Sequence, residues 1–373
     1  MAVEAPRTYA DVNAVVGGYL RDLAFAQSSQ QKMFGYKRAA NAILSLDTPL
    51  TELRGTDGAL PRISGIGPGS TRVIREILET GGSPTVEQAI EQSERRADIQ
   101  RRRDLRRHFL SRAEVRRVLA DPAFGGPTID QYCGDLQMHS EWSDGSPTVQ
   151  EIADACLERG YQYAAVTDHS YGLKIAGGMS MAEAAEQRRA LDDVNARHGN
   201  AFRLLQGIEA NIDTAGRLDL TDEEAATFDV VLAAPHSRLR KDEDQTNRMV
   251  TAVAHPAVRI LAHPRGRITG SRAGVVAQWN VVFAAAAERG VAIELDGDPA
   301  RQDLDYTLAS RAVDAGCVFA LDSDAHTTTQ LSYAETALAH ARLAGIPADR
   351  IVNCWPLDRL IGWLSDPSSA HQQ

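Results

Sequence analysis

The chain has 373 residues, of which 43% are hydrophobic and 24% are charged, and its formal net charge is −10. These values exclude a mainly disordered chain, a collagen-like chain and a disulfide-stapled miniprotein, and the length predicts about two domains. No apolar run is long enough to span a bilayer, and the first residues lack the pattern of a signal peptide. The four cysteines form no CxxC pair, so we expect a cytoplasmic protein with reduced thiols and no contact with a membrane.

The charge is divided unevenly along the chain. Residues 1–120 contain 19 basic and 14 acidic side chains, whereas residues 121–373 contain 21 basic and 36 acidic ones. A basic first part indicates contact with a polyanion, and an acidic second part indicates metal-binding carboxylates. Solvated charged surfaces are a simpler explanation of this uneven charge. The charge therefore does not indicate a function without support from sequence motifs.

Residues 9–120 have the pattern of a helical region. Amphipathic stretches run from Tyr9 to Ala26 and from Tyr36 to Leu46, and a third predicted helix ends at the glycines Gly81 and Gly82. An arginine-rich segment, 94–119, predicts one long helix that tracks phosphates, braces two domains or presents a solvated face.

The third predicted helix begins at a glycine-rich turn, Gly65-Ile-Gly67-Pro-Gly69. Glycines allow close backbone approach, and the exposed N–H groups at a helix start can bind a DNA phosphate without reading sequence. Arg72 lies in the first turns of this helix and adds positive charge. A tight turn is the plain alternative, and a dinucleotide fingerprint is excluded because no strand precedes the glycines.

From residue 133 onward, short apolar runs alternate with helical stretches. This βα repeat over about 230 residues predicts a parallel sheet closed into a barrel. The predicted strands are 134–139, 163–168, 203–210, 230–235, 259–262, 292–295, 318–321 and 351–353.

Imidazole and carboxylate side chains stand where these strands end. The carboxyl ends of barrel strands form the rim on which active sites are built, and this mixture of donors suits Zn²⁺, Mn²⁺ or Fe²⁺. A single histidine is more often structural, but five of the ten histidines fall on this one rim. The residues concerned are His139, His169, His236, His263 and His326, with Asp144, Asp168, Glu209 and Asp324.

These motifs identify residues 133–364 as similar to the PHP family of metal-dependent phosphoesterases. The matching segments are Gln137-Met-His139 with Ser143-Asp144-Gly145, Thr167-Asp168-His169, Gly207-Ile-Glu209, Pro235-His236, Ala262-His263-Pro264 and Ser323-Asp324-Ala-His326. The resemblance implies an α/β fold, a distorted (β/α)7 barrel, that holds two or three divalent metal ions (Zn, Mn or Fe). It implies one metal on His139, Glu209 and Asp324, a second on Glu209, His236 and His263, and a third on Asp144, His169 and His326.

Gln137 departs from this pattern, because the family usually has a histidine there. A Gln carbonyl oxygen is a weaker ligand than imidazole, so Gln137 either holds the first metal loosely or hydrogen-bonds a bound water. Paired metals would activate water and hold a phosphoryl oxygen, and no other nucleophile motif is present. Arg265, Arg238 and Asp168 are the further catalytic candidates, with a rim salt bridge as the alternative for each arginine.

Residues 9–82 resemble the small helix-hairpin-helix DNA-binding domain of X-family DNA polymerases. Bacterial members of that family also end in a PHP domain. The stretch 83–130 lacks a polymerase-like Gly-Ser-x-Arg-Arg or Asp-x-Asp motif, so we expect no polymerase activity. Val73 replaces the lyase lysine of that family, which argues against Schiff-base chemistry there.

We therefore expect a small all-α domain followed by the barrel, and a metal-dependent hydrolase that trims 3′ ends of DNA or cuts at damaged sites. Two alternatives stay open: a small-molecule phosphatase of the histidinol-phosphatase type, and a DNA-binding adaptor with a weakened metal site. The sequence does not indicate the oligomeric state. The expected boundaries are 1–83 for the helix-hairpin-helix domain, 84–130 for a connecting segment, 131–365 for the barrel and 366–373 for a disordered tail.

Overall fold

The computed structural model describes residues 11–55 and 59–371. The chain divides into two compact units, Met1–Ala120 and Asp121–Gln373. Residues 1–10 carry the beginning of the first predicted helix and lie outside the described residues. None of the described helices is both long and apolar enough to cross a membrane.

The described part of the first unit is helical. Its core is apolar and is formed by residues such as Val16, Leu20, Ile43, Val73 and Ile77, which are at most 4% exposed. The helices are α1 (Val12–Ala26), α2 (Gln30–Leu44), α3 (Pro68–Thr80), α4 (Pro84–Glu91), α5 (Arg96–Leu105) and α6 (Arg112–Ala120).

The glycine-rich turn sets the start of α3. Gly65 has φ +83°, a backbone conformation that favours glycine, and Gly67 is the N-cap residue with Pro68 at the first helical position. Gly81 ends α3 in a left-handed conformation. The predicted turn and helix are therefore both present.

The arginine-rich segment differs from the prediction of one long connecting helix. It forms two helices, α5 and α6, and both belong to the first unit. Asp22 of α1, which is 2% exposed, lies 2.7 Å from Arg103 and 2.6 Å from Arg106. Burial of this carboxylate requires paired cations, so these arginines hold the helical unit together.

The second unit contains a seven-stranded parallel sheet in which each strand pairs with the next one in sequence. A bridge between Met138 and Ala325 joins the first and last strands beyond the ends of their ladders, so the barrel is nearly closed. The strands are β1 (Gly134–Asp135), β2 (Tyr163–Val166), β3 (Arg203–Asn211), β4 (Val230–Ala234), β5 (Val258–Leu261), β6 (Ala292–Asp296) and β7 (Phe319–Asp322).

Helices cover the outside of this sheet and connect its strands. Capping boxes at Thr148, Ser180 and Thr221 start three of them. The helices are α7 (Val149–Glu158), α8 (Met181–His198), α9 (Asp222–Ala225), α10 (Thr246–Val253), α11 (Trp279–Arg289), α12 (Tyr306–Asp314), α13 (Ala334–Ala344) and α14 (Leu357–Ser365).

The eighth predicted strand, 351–353, is wrong. Val352–Cys354 forms a 3-10 turn, and the buried Asn353 side chain fastens the two sides of the barrel. Its Nδ2 donates to the Gly134 carbonyl of β1 at 3.0 Å, and its Oδ1 accepts from Leu321 N of β7 at 2.7 Å. The segment forms no continuous ladder, but single backbone contacts accompany the side chain: Ile351 bridges Phe319 of β7, and Cys133 N donates to the Asn353 carbonyl at 2.7 Å.

The C-terminal tail also differs from its prediction. Pro367–His371 forms a 3-10 turn, and Ala370 is 6% exposed in the core beside Trp363 and Leu364. An apolar contact therefore orders most of a segment that we expected to be disordered. Residues 372–373 lie outside the described residues.

The four cysteines are free thiols, as expected. Cys156 and Cys317 are buried, and Cys133 and Cys354 are half-buried. Burial raises the pKa of each thiol, so none of them resembles an activated nucleophile.

Candidate metal centre

All nine residues that the PHP resemblance identified as ligands lie at the carboxyl ends of strands, as a βα barrel requires. Gln137 and His139 follow β1, and Glu209 lies near the carboxyl end of β3. The remaining six are Asp144 beyond β1, His169 after β2, His236 after β4, His263 after β5, and Asp324 and His326 after β7.

Glu209 is the centre of the cluster. Its carboxylate is fully buried, and Oε1 lies 2.9 Å from Nε2 of both His236 and His263. Its other oxygen, Oε2, lies 3.2 Å from Nε2 of His139. Oε2 also lies 3.5 Å from Nδ1 of His169, so one carboxylate faces imidazoles from four other strands, which is the arrangement of a bridging ligand.

Two further groups of donors adjoin this carboxylate. Nε2 of His139 lies 3.1 Å from Oδ1 of Asp324, so His139, Glu209 and Asp324 form one group. Oδ1 of Asp144 lies 3.3 Å from His326 and 3.5 Å from His169. Within each group the donor atoms lie no more than 4.8 Å from one another, which is close enough to share one ion.

The donor atoms fit divalent metals. Several buried atoms of the cluster have no hydrogen-bond partner: Nδ1 of His139, His169 and His263, and Oε1 of Gln137. A buried polar atom without a partner is costly, and imidazole nitrogens with carboxylate oxygens are the ligands of Zn²⁺, Mn²⁺ and Fe²⁺. The orphaned atoms therefore support a cluster made to hold cations.

The pKa values of the cluster are shifted in both directions. Burial acts to lower the pKa of His139 and His326, but the carboxylates that they face raise both above the ordinary value, so a bound ion would displace their protons. Burial lowers the pKa of His236 to about 4, which leaves its imidazole neutral. Burial acts to raise the pKa of the Asp144 and Asp324 carboxyls, but hydrogen bonds to the histidines, and the charge of Arg301 beside Asp324, hold both well below their usual range. Neutral imidazole and ionised carboxylate are the forms that bind metals.

Two of the candidate ligands have an unusual backbone. His263 has φ +25° and Asp324 has φ +52°, both outside the conformations that side-chain-bearing residues prefer. Such positions cost about 1–3 kcal/mol each and concentrate at functional sites. The fold therefore accepts strain where these two side chains turn toward the cluster.

Gln137 lies inside the cluster, but it hydrogen-bonds a protein side chain. Its Nε2 donates to Oε2 of Glu209 at 3.0 Å, and both side chains are fully buried. The amide therefore orients the central carboxylate. This role differs from the two that we expected from the sequence, which were a loose metal ligand and a hydrogen-bond partner of a bound water.

The structure gives Asp168 a positioning role. Its carboxylate accepts hydrogen bonds from Ser140 N at 2.9 Å, from Gln187 Nε2 at 2.6 Å and from the hydroxyls of Ser140 and Ser143. These contacts fix the loop between His139 and Asp144 and occupy both oxygens. The expectation that Asp168 acts as a catalytic group is not supported by this arrangement.

The two arginine candidates are engaged elsewhere. Arg265 lies 3.4 Å from the buried Asp305, and Arg238 forms an exposed ion pair with Glu243. Among the described residues, no ion pair joins either arginine to the cluster. Both arginines therefore form the salt bridges that we considered as the alternative to a catalytic role.

The sequence reasoning missed Arg301. Its Nε lies 3.2 Å from Oδ2 of Asp324 and 3.4 Å from Oδ2 of Asp296. The sequence did hold a signal, because Asp296-Gly-Asp298 ends β6 on the same rim and Arg301 follows within the loop. This strand end carries no histidine, and the contact of Arg301 with Asp324 is not visible in the sequence.

Three more carboxyl groups lie inside the barrel. Burial and mutual repulsion raise the pKa of Asp135 and Glu294 well above the ordinary values, and burial raises that of Asp322 to about 6. Leu136 N and Asn353 Nδ2 both donate to Asp322 Oδ1 at 2.8 Å. These groups tie the strands together and, where protonated, add no negative charge beneath the cluster.

The first unit has a cleft at the start of α3. It has a volume of about 500 Å³ and is lined by Ile66, Gly67, Pro68, Thr71, Arg72 and Arg75. The predicted Gly67 and Arg72 are thus brought together. At Gly69, a side-chain Cβ would lie 3.0 Å from the Tyr36 hydroxyl, whereas Gly67 opens to free space.

Family models match both units. Residues 12–83 match the helix-hairpin-helix domain, and residues 135–291 match the PHP domain.

Relatives fall into two kinds. The DNA polymerase/3′-5′ exonuclease PolX of Bacillus subtilis (strain 168) is 37% identical over 226 residues, which cover 60% of this chain and 40% of that protein. A probable phosphatase of Enterobacter sp. (strain 638) is 28% identical over 252 residues, 64% of this chain and 97% of that protein. Another, of Thermoanaerobacter sp. (strain X514), is 26% identical over 217 residues, 55% of this chain and 83% of that protein.

Among solved structures, the histidinol phosphate phosphatase of Lactococcus lactis aligns with a TM-score of 0.44 and 15% identity. The alignment covers 56% of this chain and 92% of that one. This likeness is too low to support a statement about the site.

Proposed function

We propose that this chain, a PHP-domain phosphoester hydrolase with a helix-hairpin-helix domain, hydrolyses phosphoester bonds at the 3′ ends of DNA. One observation carries the proposal: five other strand ends bring imidazoles and carboxylates to Glu209 of β3, in a chain whose other unit presents a basic cleft at a helix start. The cluster supports hydrolysis, and the cleft supports a polyanionic substrate.

The side chains would divide the work as follows. His139, Glu209 and Asp324 would hold one divalent ion, Glu209 with His236 and His263 a second, and Asp144 with His169 and His326 a third. Bound ions would supply a water of lowered pKa and would neutralise charge on the phosphoryl oxygens. Gln137 orients Glu209, and Asp168 orients the loop that carries Asp144.

The cleft of the first unit supports DNA as the substrate. Backbone N–H groups at the start of α3, with Arg72 and Arg75 on its next turn, form a site for backbone phosphates. Such contacts position a protein on DNA without reading its sequence. The named activity of the Bacillus subtilis relative includes a 3′-5′ exonuclease, and this chain spans 40% of that protein's length.

The test is a panel of labelled duplexes with recessed 3′ ends, 3′-phosphates or abasic sites, assayed with Mn²⁺. We expect release of nucleotide or phosphate from the 3′ end by the wild type. His139→Ala and Asp324→Ala should abolish release and leave the affinity for DNA unchanged. Activity on a small phosphomonoester with none on any DNA would overturn the proposal.

A small-molecule phosphatase is the second candidate. It is favoured by the probable phosphatases of Enterobacter and Thermoanaerobacter, whose matches span 97% and 83% of their own lengths. The two candidates differ in the ratio of kcat/KM on DNA to kcat/KM on a phosphomonoester. A ratio far above one supports the nuclease, and a ratio far below one supports the phosphatase.

A further inference from the structure

Three loops on one side of the barrel mouth are fastened to one another. They follow β4, β5 and β6, so all three lie at the carboxyl ends of strands. Gly274 N donates to the Leu239 carbonyl at 3.1 Å, and Thr269 N donates to the Ala300 carbonyl at 2.7 Å. These bonds make a continuous rim beside the metal cluster, and each loop carries one arginine that the proposed reaction has not yet used: Arg240, Arg272 and Arg301.

Arg301 is the member nearest the cluster. Its Nε contacts the candidate ligand Asp324, while its Nη1 is buried and has no hydrogen-bond partner. Arg301 therefore places a permanent positive charge and an unused hydrogen-bond donor next to a candidate metal ligand.

Arg272 and Arg240 continue the positive charge outward. Nε of the half-buried Arg272 donates to the Gly266 carbonyl at 2.7 Å, and Nη2 of the exposed Arg240 donates to Ser271 Oγ at 3.2 Å. Burial lowers the pKa of Arg272, and repulsion by Arg301 and Arg240 lowers it further against the opposing charge of Asp303. Within residues 11–55 and 59–371, no ion pair joins Arg240 or Arg272 to a carboxylate.

The neighbouring arginines behave differently, which makes this absence informative. Arg238 pairs with Glu243, and both Arg265 and Arg267 pair with Asp305. The unit that carries these loops has many more acidic than basic residues. Neighbouring guanidinium groups without a carboxylate partner repel one another, and a bound anion would relieve this repulsion.

We propose that Arg301, Arg272 and Arg240 form a phosphate track at the mouth. Arg301 faces the phosphoryl group that is cleaved, and Arg272 and Arg240 contact the backbone phosphates of the adjoining nucleotides. The track would make the mouth selective for a polynucleotide strand over an isolated phosphomonoester. The inference rests on the proposed DNA phosphoesterase activity and deepens it by naming the residues that recognise the polymer.

The test compares the full-length wild type with the double variant Arg240→Ala/Arg272→Ala on two substrates. The substrates are a short single-stranded oligonucleotide and p-nitrophenyl phosphate, both with Mn²⁺. We expect the variant to raise KM for the oligonucleotide about tenfold or more and to flatten its dependence on log salt by about 1.4, at about 0.7 per lost phosphate contact. Turnover of p-nitrophenyl phosphate should stay unchanged, which also shows that the variant is folded.

Arg289→Ala is the matched control. Arg289 is also exposed, but it ends α11, which leads into the amino end of β6 at the opposite side of the barrel. Oligonucleotide kinetics of the double variant equal to those of Arg289→Ala, or equal losses on both substrates, would overturn the phosphate track. A wild type that cleaves p-nitrophenyl phosphate but no oligonucleotide would instead overturn the proposed DNA activity, and the two failures are thus distinguishable.

Discussion

At the scale of single residues, Glu209 concentrates the chemistry. Both of its oxygens face imidazoles, and the amide of Gln137 donates a hydrogen bond to one of them. A buried carboxylate surrounded by histidines is a strong cation site only while it keeps its charge. Burial acts to raise the pKa of Glu209, but the nearby histidines hold it well below the usual value.

Glu209→Gln should therefore lose metal before it loses its fold. The amide keeps the shape of the side chain but removes the charge that two candidate metals share. We expect at least about a hundredfold loss of metal affinity and of kcat. Substitution of residues that only hydrogen-bond a metal ligand already lowers metal affinity or activity about 10–100-fold. Metal content measured by elemental analysis gives the readout, and Glu288→Gln, on the exposed side of α11, is the control. Full metal content in Glu209→Gln would contradict the assignment of Glu209 as a bridging ligand.

Asp305 is a second residue whose contribution to stability depends on pH. It lies 2.9 Å from Arg267, which is 1% exposed, and it caps α12. Burial acts to raise the pKa of Asp305, but the Arg267 guanidinium and the Thr307 hydroxyl hold it below the usual value of 3.8. The group therefore contributes stability that is present above about pH 4 and is lost as the pH falls below that value.

Asp305→Asn should keep the helix cap but remove the ion pair between Asp305 and the buried Arg267. We expect a loss of about 3 kcal/mol in the free energy of unfolding at pH 7. The difference from the wild type should shrink as the pH falls from 4 toward 2, because Asp305 becomes protonated in the unfolded chain while the folded state holds it ionised. Urea denaturation at a series of pH values measures it, and a difference that is independent of pH would contradict the ion-pair account.

At the scale of elements, two parts of the chain show how far the sequence could be used. Strand ends were predictable because apolar runs such as 203–210 and 230–235 stop at a polar residue, and a parallel βα repeat brings such ends to one rim. The Asn353 segment was not predictable, because its apolar pattern resembles a strand while a side-chain amide replaces the ladder. Arg301 escaped because its role depends on a contact with Asp324, which lies 23 positions away.

Asn353→Ala should open the seam between β1 and β7. The substitution removes hydrogen bonds to the Gly134 carbonyl, to Leu321 N and to Asp322, all of them buried. We expect the free energy of unfolding to fall by about 2–4 kcal/mol, since each buried group left without a partner costs about 1–3 kcal/mol. Chemical denaturation tests this, with Asn280→Ala on the outside of α11 as the control. A loss no larger than that of Asn280→Ala would show that the seam is closed by other contacts.

The start of α3 is the element on which the proposed DNA binding by the first unit depends. Arg72→Ala/Arg75→Ala should weaken binding to duplex DNA and flatten the dependence of log affinity on log salt by about 1.8, at about 0.9 per phosphate contact. Arg101→Ala is the control, because that exposed arginine already pairs with Asp98. Fluorescence anisotropy at several salt concentrations measures both quantities. An unchanged salt dependence in the double variant would remove this cleft from the DNA interface.

At the scale of the whole molecule, the residues proposed for hydrolysis and those proposed for DNA binding lie in different units. The helical unit carries the basic cleft, and the barrel unit carries the donor cluster. His139→Ala should therefore abolish hydrolysis and spare DNA affinity, while the α3 variant should lose DNA affinity and keep its rate of hydrolysis at saturating DNA. Equal loss of both properties in both variants would contradict this division of labour.

The central claim, that side chains from six strand ends hold cations around Glu209, can be measured directly by anomalous scattering. Crystals grown with Mn²⁺ or Zn²⁺ should show two or three peaks at the barrel mouth. Each peak should lie about 2.0–2.3 Å from imidazole nitrogens and carboxylate oxygens of the cluster, with Glu209 shared by two of them. An active enzyme whose crystals show no peak at Glu209, or whose bound metal lies elsewhere, would contradict the account.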